Sequence, residues 1–492
     1  MLQKARMFGN EFEKRRILLL FNMKNVDFQQ NPCSLRSKPM LRRIITDDLT
    51  KWKEDGAKTA LCITGARQIG KSTSAREFAR AHYKTVIEIN FIEQPQMKEV
   101  FNSPEPSKIY TALTAASRTP ITPGETLLML DEIQECPQAR TAVKFLVEDH
   151  QVDLIETGSL LGVNIQEVKS YPVGFETLLP MYPMTFLEFL WALKIPEQTI
   201  DYLKSCYQNL EPVLPAVHAQ MLELFQLYMV VGGMPKAVQT YVDTSDLVRV
   251  QAVHQDIIDL YRSDILKYAL RKDRIKIQDV FDQIPGQLMG KNKRFKVASI
   301  DPSLRVYQMQ GAFLWLEAAG IGLPCYNVTA PLFPLRINEE RNLFKLYLCD
   351  TGLLCTMTGQ DCAFEILKGN VEINMGGILE NIFAQSLKSR NFNLFYFDSK
   401  RNYELDFLVQ NKSQVEILEI KSGKYYKKHA SLNKALDHPE WHLKTGIVFC
   451  KGNIEKIERI TYLPFYMILF YEEEREAEMI WKPDLSALMN FN

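Results

Sequence analysis

Residues 60–72 read Ala60-Leu61-Cys62-Ile63-Thr64-Gly65-Ala66-Arg67-Gln68-Ile69-Gly70-Lys71-Ser72, a short apolar run entering a glycine loop, after which a helical pattern continues to about Ala81. The spacing Gly-x-x-x-x-Gly-Lys-Ser is that of a phosphate-cradling loop. Glycines let backbone N–H groups curl around a phosphate, and the following helix points its positive end at the same anion. Lys71 is placed to reach the β- and γ-oxygens of a nucleoside triphosphate, and Ser72 to ligate Mg²⁺. The expected nucleotide-binding set is therefore Gly65, Ala66, Arg67, Gln68, Ile69, Gly70, Lys71, Ser72 and Thr73, with ATP and Mg²⁺ as ligands. The plainer alternative is a glycine turn before a helix.

Outward from the loop, Val86 to Phe91, Leu127 to Leu130 and Asp153 to Thr157 read as further buried strands alternating with helices. That alternation predicts an α/β fold of P-loop type, a parallel sheet with helices on both faces. The run Leu127 to Leu130 leads into Asp131-Glu132, the form of a Walker B strand following the Walker A loop. Asp131 is expected to hold Mg²⁺ together with Ser72. Glu132 is expected to orient or deprotonate the attacking water, with Lys71 as its catalytic companion. A strand ending in a solvated acidic turn is the alternative. Thr157 and Ser159 follow the next strand and are candidate sensors of the γ-phosphate, although Thr-Gly-Ser is also a common turn.

Four regions are expected: an extension over 1–39, a nucleotide domain over 40–194, a mostly helical middle over 195–330, and an α+β domain over 331–492. A helix from Leu41 to Glu54 should open the second, stopped by Asp55-Gly56. The middle is punctuated by Gly232-Gly233-Met234-Pro235. The last region predicts a helix over 378–389 and strands over 394–397, 404–409 and 415–421. Alternation puts Glu404 and Asp406 on one face of their strand, and Glu419 and Lys421 on one face of theirs. A hairpin between the two strands would gather Asp406, Glu419 and Lys421, with Glu380 on the preceding helix able to join. Two carboxylates and a lysine suit Mg²⁺-dependent phosphodiester hydrolysis, the acids binding metal and the ammonium steadying a phosphate or the water. Exposed charges on an edge hairpin are the alternative. Lys421, Lys424, Lys427 and Lys428 around Tyr425 and Tyr426, and Lys291, Lys293, Arg294 and Lys296 around Phe295, could contact a phosphate backbone or simply be solvated surface.

Composition narrows the class. The chain has 492 residues, 46% hydrophobic and 24% charged, which excludes a disordered or fibrous polypeptide. Lys+Arg and Asp+Glu both number 59, so no overall charge draws it to nucleic acid or membrane. The nine cysteines show no Cys-x-x-Cys spacing, and even Cys349, Cys355 and Cys362 lack a nearby histidine pair, which points to a reducing, cytoplasmic compartment. No apolar run reaches the roughly 20 residues of a membrane span. The segment Ile17 to Phe21 is too short for a signal-peptide core.

The combination of Gly65-x-Arg67-Gln68-x-Gly70-Lys71-Ser72, Asp131-Glu132-Ile133-Gln134, Thr157-Gly158-Ser159 and Pro183-Met184-Thr185-Phe186-x-Glu188-Phe189-Leu190 resembles a prokaryotic family of AAA-type ATPases. Their C-terminal domain, of unknown function, is related to the PD-(D/E)XK nucleases. Gly232-Gly233-Met234-Pro235, Gly377-Ile378-Leu379-Glu380-Asn381, Glu404-x-Asp406-Phe407 and Glu419-x-Lys421 are similar to its second half. The resemblance implies ATP binding at Gly65 to Ser72, Mg²⁺ at Asp131 and hydrolysis through Glu132. One departure is Gly174-Phe175 where many relatives have Gly-Arg, which leaves an arginine finger unassigned. The resulting expectation is an Mg²⁺-dependent ATPase coupled to a nuclease-like domain. Its alternatives are an ATP-gated nuclease or a nucleotide-switched module binding DNA or protein with little turnover. A homo-oligomer is compatible with each, and a membrane partner with none.

Overall fold

A computed structural model of the chain describes residues 41–158, 174–290, 292–359, 361–368, 375–399, 403–473 and 481–483. The first helix among the described residues, α1 (Ile45–Glu54), starts later than the sequence pattern suggests. The reason is local: the Ile44 N–H donates to Glu188 Oε1 at 2.8 Å and the Arg43 side chain turns inward, so this stretch serves tertiary bonds before the helix begins.

The strands β1 (Ala60–Thr64), β2 (Thr85–Asn90), β3 (Thr126–Asp131), β4 (Asp153–Thr157) and β5 (Glu176–Pro180) form one sheet in the order β2-β3-β4-β1-β5. Every pairing in it is parallel. The crossovers carry α2 (Lys71–His82), α3 (Pro106–Ser117) and α4 (Pro137–Asp149). Alternation sorts the side chains onto two faces. Leu61, Ile63, Leu127 and Met129 pack with Ala75 and Phe78 of α2. Ala60, Cys62, Leu128 and Leu130 pack with Ile109 of α3 and with Ala142 and Leu146 of α4. A strand buried on both faces needs apolar residues at successive positions, which is why Leu127 to Leu130 reads as an unbroken run.

Helices α5 (Phe186–Ala192), α6 (Glu197–Asn209), α7 (Pro215–Val231), α8 (Pro235–Thr244), α9 (Leu247–Tyr268), α10 (Arg274–Met289) and α11 (Val306–Ala318) follow. A second, mixed sheet begins with β6 (Gly322–Val328) and β7 (Glu339–Leu348). It continues, after α12 (Thr351–Thr358), α13 (Cys362–Lys368) and α14 (Met375–Lys388), with β8 (Phe395–Asp398), β9 (Glu404–Asn411) and β10 (Gln414–Lys421). After α15 (Ala430–Leu436) come β11 (Gly446–Cys450), β12 (Glu455–Ile457) and β13 (Ile460–Pro464). The order across this eight-stranded sheet is β12-β13-β11-β10-β9-β8-β6-β7.

The boundary expected at 330/331 falls between β6 and β7, which pair antiparallel from Gly322↔Leu348. The sequence hid β6 behind Gly322 and Pro324, residues that weaken a strand pattern. One apolar core runs from Ile45 through the middle helices to Tyr471, and Leu41–Asn492 is one compact unit. No helix among the described residues is long and apolar enough to cross a membrane.

Candidate functional site

Parallel strands send their C-terminal ends to one edge of the first sheet. β1 runs there into the glycine loop, β3 ends in Asp131 and β4 in Thr157, and Asp131 lies opposite Thr157 in the ladder. Gly65 has φ 133°, and a Cβ there would stand 2.2 Å from the Met181 carbonyl oxygen, so only glycine fits. Gly70, at φ 95°, caps the start of α2 and turns the first N–H groups of that helix toward the loop. The buried Lys71 Nζ donates to the carbonyl oxygens of Gly65 at 2.9 Å and Ala66 at 2.7 Å. Burial lowers its pKa to about 8, against the pull of Glu132 and Asp131. Its charge is held by neutral carbonyls and is available to an anion.

Asp131 collects the polar groups of this edge. Its Oδ1 accepts from Ser72 Oγ at 2.7 Å and from the Thr157 hydroxyl. Its Oδ2 accepts from Asn90 Nδ2 at 3.0 Å and Arg76 Nη2 at 3.4 Å. The Ser72 hydroxyl and the Asp131 carboxylate, already in contact, are a hard-oxygen donor set that fits Mg²⁺. Glu132 has φ 54° and accepts from Gln134 Nε2 at 2.5 Å. With Arg67, Gln68, Gly70, Lys71, Ser72, Thr73 and Asp131 it lines a cleft of about 550 Å³, closed on another side by Pro235, Lys236 and Leu260. Ser159 lies outside the described residues.

The C-terminal carboxylates also converge. β9 and β10 form the expected hairpin. Lys421 Nζ lies 2.6 Å from Glu419 Oε2, and Asp406 Oδ2 accepts the Ile420 N–H at 2.8 Å. Glu380 on α14 joins them, and β7 adds two residues that sequence reasoning missed. Lys345 Nζ reaches Glu380 Oε2 at 3.3 Å and Glu404 Oε1 at 2.7 Å, and Tyr347 Oη donates to Glu380 Oε2 at 2.8 Å. Lys293 binds the other oxygen of Glu380. Burial pushes Glu419 up to about 8, assisted by Asp406, and its Oε1 is buried with no hydrogen-bond partner. That orphan oxygen beside Asp406 fits an oxygen-seeking cation; the oxygens of Glu380 are taken by lysines and a tyrosine.

Residues 57–190 match the family model of an AAA domain. Residues 222–362 and 375–468 match two models described as domains of unknown function, DUF8612 and DUF4143. No curated protein matches the chain. Among solved structures, it is similar to the Walker-type ATPase of Pyrococcus abyssi, at 14% identity and TM-score 0.38, over 67% of this chain and 99% of that one. The Holliday junction branch migration motor RuvB of Thermotoga maritima matches at 11% identity and TM-score 0.27, over 57% and 89%. Cdc6p of Pyrobaculum aerophilum matches at 10% and 0.24, over 68% and 98%.

One residue that braces the loop, lying before the matched stretch 57–190, was not read from the sequence. Arg43, just before α1, donates from Nη1 to the Ile69 carbonyl at 2.6 Å, from Nη2 to the Tyr182 carbonyl at 2.8 Å and from Nε to Glu188 Oε1 at 2.8 Å. Glu188 also completes a capping box with Thr185 at the start of α5. The Thr-x-x-Glu spacing is a legible signal for that box. The arginine that shares the glutamate is 145 residues away in sequence and announces itself by no pattern.

Proposed function

We propose that the chain is an Mg²⁺-dependent ATPase whose nucleotide state is passed to the region beginning at β6. The observation that carries this reading is the meeting of Lys71, Ser72, Asp131 and Glu132 around one cleft at one sheet edge. In this reading the loop N–H groups and Lys71 bind the β- and γ-phosphates, the ammonium exchanging backbone carbonyls for phosphate oxygens. Glu132 takes a proton from the attacking water as the bond between the γ-phosphorus and the bridging oxygen breaks. A bound Mg²⁺, held by Ser72 and Asp131, would neutralise charge on the phosphate oxygens. Asp131 in turn is oriented by Thr157 and Asn90.

Lys71→Ala should abolish ATP binding, measured by calorimetry on the full chain; a variant binding as tightly as the parent would sink the assignment. A second reading, an ATP-gated nuclease, is favoured by the convergence of Asp406, Glu419 and Lys421 and by the orphan Glu419 oxygen. It expects Mg²⁺- or Mn²⁺-supported cleavage of DNA or RNA that Asp406→Ala removes. Convergence without cleavage supports a binding domain derived from such a fold, and ATPase rates with and without DNA test whether nucleic acid is the partner.

A further inference from the structure

Arg67 is the third residue of the phosphate loop, and three residues of α9 hold it. Its Nη1 donates to Asp264 Oδ1 at 2.7 Å, its carbonyl accepts from Tyr261 Oη at 3.0 Å, and its guanidinium lies 5.8 Å from the Tyr268 ring centre. Spacings of three and four put these residues on one helix face. The Arg67 side chain is 21% exposed at the cleft, whereas Asp264 is 6% exposed behind it. The charged groups around the pair are Lys71 and Glu132 from the loop side and Lys267 from α9.

We propose that Arg67 is the residue by which this cleft distinguishes a nucleoside triphosphate from a diphosphate, exchanging Asp264 for the terminal phosphate. The inference rests on the reading of the loop as an ATP site. A guanidinium is a planar fork that binds a phosphate through two parallel N–H···O bonds, and a terminal phosphate offers it more charge than one carboxylate. Arg67 already lines the cleft that Lys71 and Glu132 line, so a terminal phosphate bound there would share that cleft with its guanidinium. Asp264 is then left buried without its cation, a costly state that α9 relieves by shifting. Movement of α9 has a defined destination. Toward its other end, His254 Nε2 donates to the Val231 carbonyl at 3.0 Å, and Nδ1 lies 3.0 Å from Thr356 Oγ1 on α12. The adjoining Gly233 N–H donates to Asp350 Oδ2 at 2.6 Å, directly after β7. Arg67 is thus a specificity-determining residue at one end of a helix whose other end contacts Val231 at the end of α7 and Thr356 of α12.

The test is calorimetric titration of the full chain with ADP and with a non-hydrolysable ATP analogue. For Arg67→Ala the expected result is a loss of about 10-fold or more in affinity for the ATP analogue, with ADP affinity within a few-fold of the parent. Asp264→Asn should bind the analogue several-fold more tightly, because the arginine is freed, and the double variant should behave as Arg67→Ala. Equal weakening of both nucleotides by Arg67→Ala would make the residue structural and overturn the proposal. So would unchanged analogue affinity in Asp264→Asn, which carries the test alone if Arg67→Ala does not fold. A parent chain that binds neither nucleotide would overturn the ATP reading and this proposal together, which separates the two failures.

Discussion

The nucleotide edge and the carboxylate–lysine cluster are both rich in buried charge, yet they are balanced in opposite ways. At the edge, Lys71 rests on two carbonyls, α2 aims unpaired N–H groups at the cleft, and Asp131 accepts mainly from neutral hydroxyls and an amide. Positive potential is left over there for a ligand to satisfy. In the cluster, each lysine already has a carboxylate: Lys293 and Lys345 on Glu380, Lys345 on Glu404, Lys421 on Glu419. Burial alone would raise the Glu380 pKa, but Lys345 and Lys293 hold it below the usual carboxylate range. Burial alone would lower that of Lys345, but Glu380, Glu404 and Asp406 push it up. Surplus charge marks a place that waits for a ligand; closed ion pairs mark one whose first duty is to hold the fold. Two groups depart from that closure: the orphan oxygen of Glu419, and Asp406, whose Oδ2 accepts a backbone N–H.

The contrast breaks most visibly in kinetics. Glu132→Gln keeps the shape of the edge but removes the proposed base, so ATP should still bind while single-turnover hydrolysis falls by about 10²–10⁴-fold. An unchanged rate would move the catalytic base elsewhere on the edge. The cluster should answer in stability instead. Lys345 is 1% exposed, and Lys345→Met leaves Glu380 and Glu404 without a shared cation, so urea denaturation should show a loss of about 3–5 kcal/mol. Lys421 is 30% exposed, and its pair with Glu419 is partly screened, so Lys421→Met should cost distinctly less. Equal losses would mean that burial does not rank the two lysines and that the closed-pair picture is wrong.

The edge was legible because its chemistry is contiguous. A loop that cradles phosphate with its own backbone must place Gly65, Gly70, Lys71 and Ser72 within eight residues, and a strand buried on both faces must be an apolar run. The hairpin of β9 and β10 was legible for a similar reason, since alternation fixes which side chains share a face. What joins distant segments was not. Lys345 sits in a strand whose first partner, β6, carries Gly322 and Pro324, and the pairing that puts it beside Glu380 is a product of sheet order. Arg43 and Asp264 act on the loop through single side-chain bonds across 26 and 197 residues, and no periodicity encodes those.

The smallest effect concerns the joint between the two regions. His254 is fully buried in α9, and burial lowers its pKa to about 4, against a hydrogen bond to the Val231 carbonyl that raises it. Unfolded, the imidazole returns to about 6.5, so between those values the unfolded chain binds the extra proton and stability falls as pH falls. The contribution is intact at pH 7 and should have lost about 2 kcal/mol by pH 5. Asp350, beside this joint, titrates in the opposite sense, because burial raises its pKa to about 6. The measurement is therefore a difference. His254→Gln can still donate to Val231 but cannot titrate, so the stability of the parent minus that of the variant should decline from pH 7 to pH 5. A flat difference would show that the imidazole takes up its proton in the folded chain, and that the contact between α9 and α12 is looser than its burial implies.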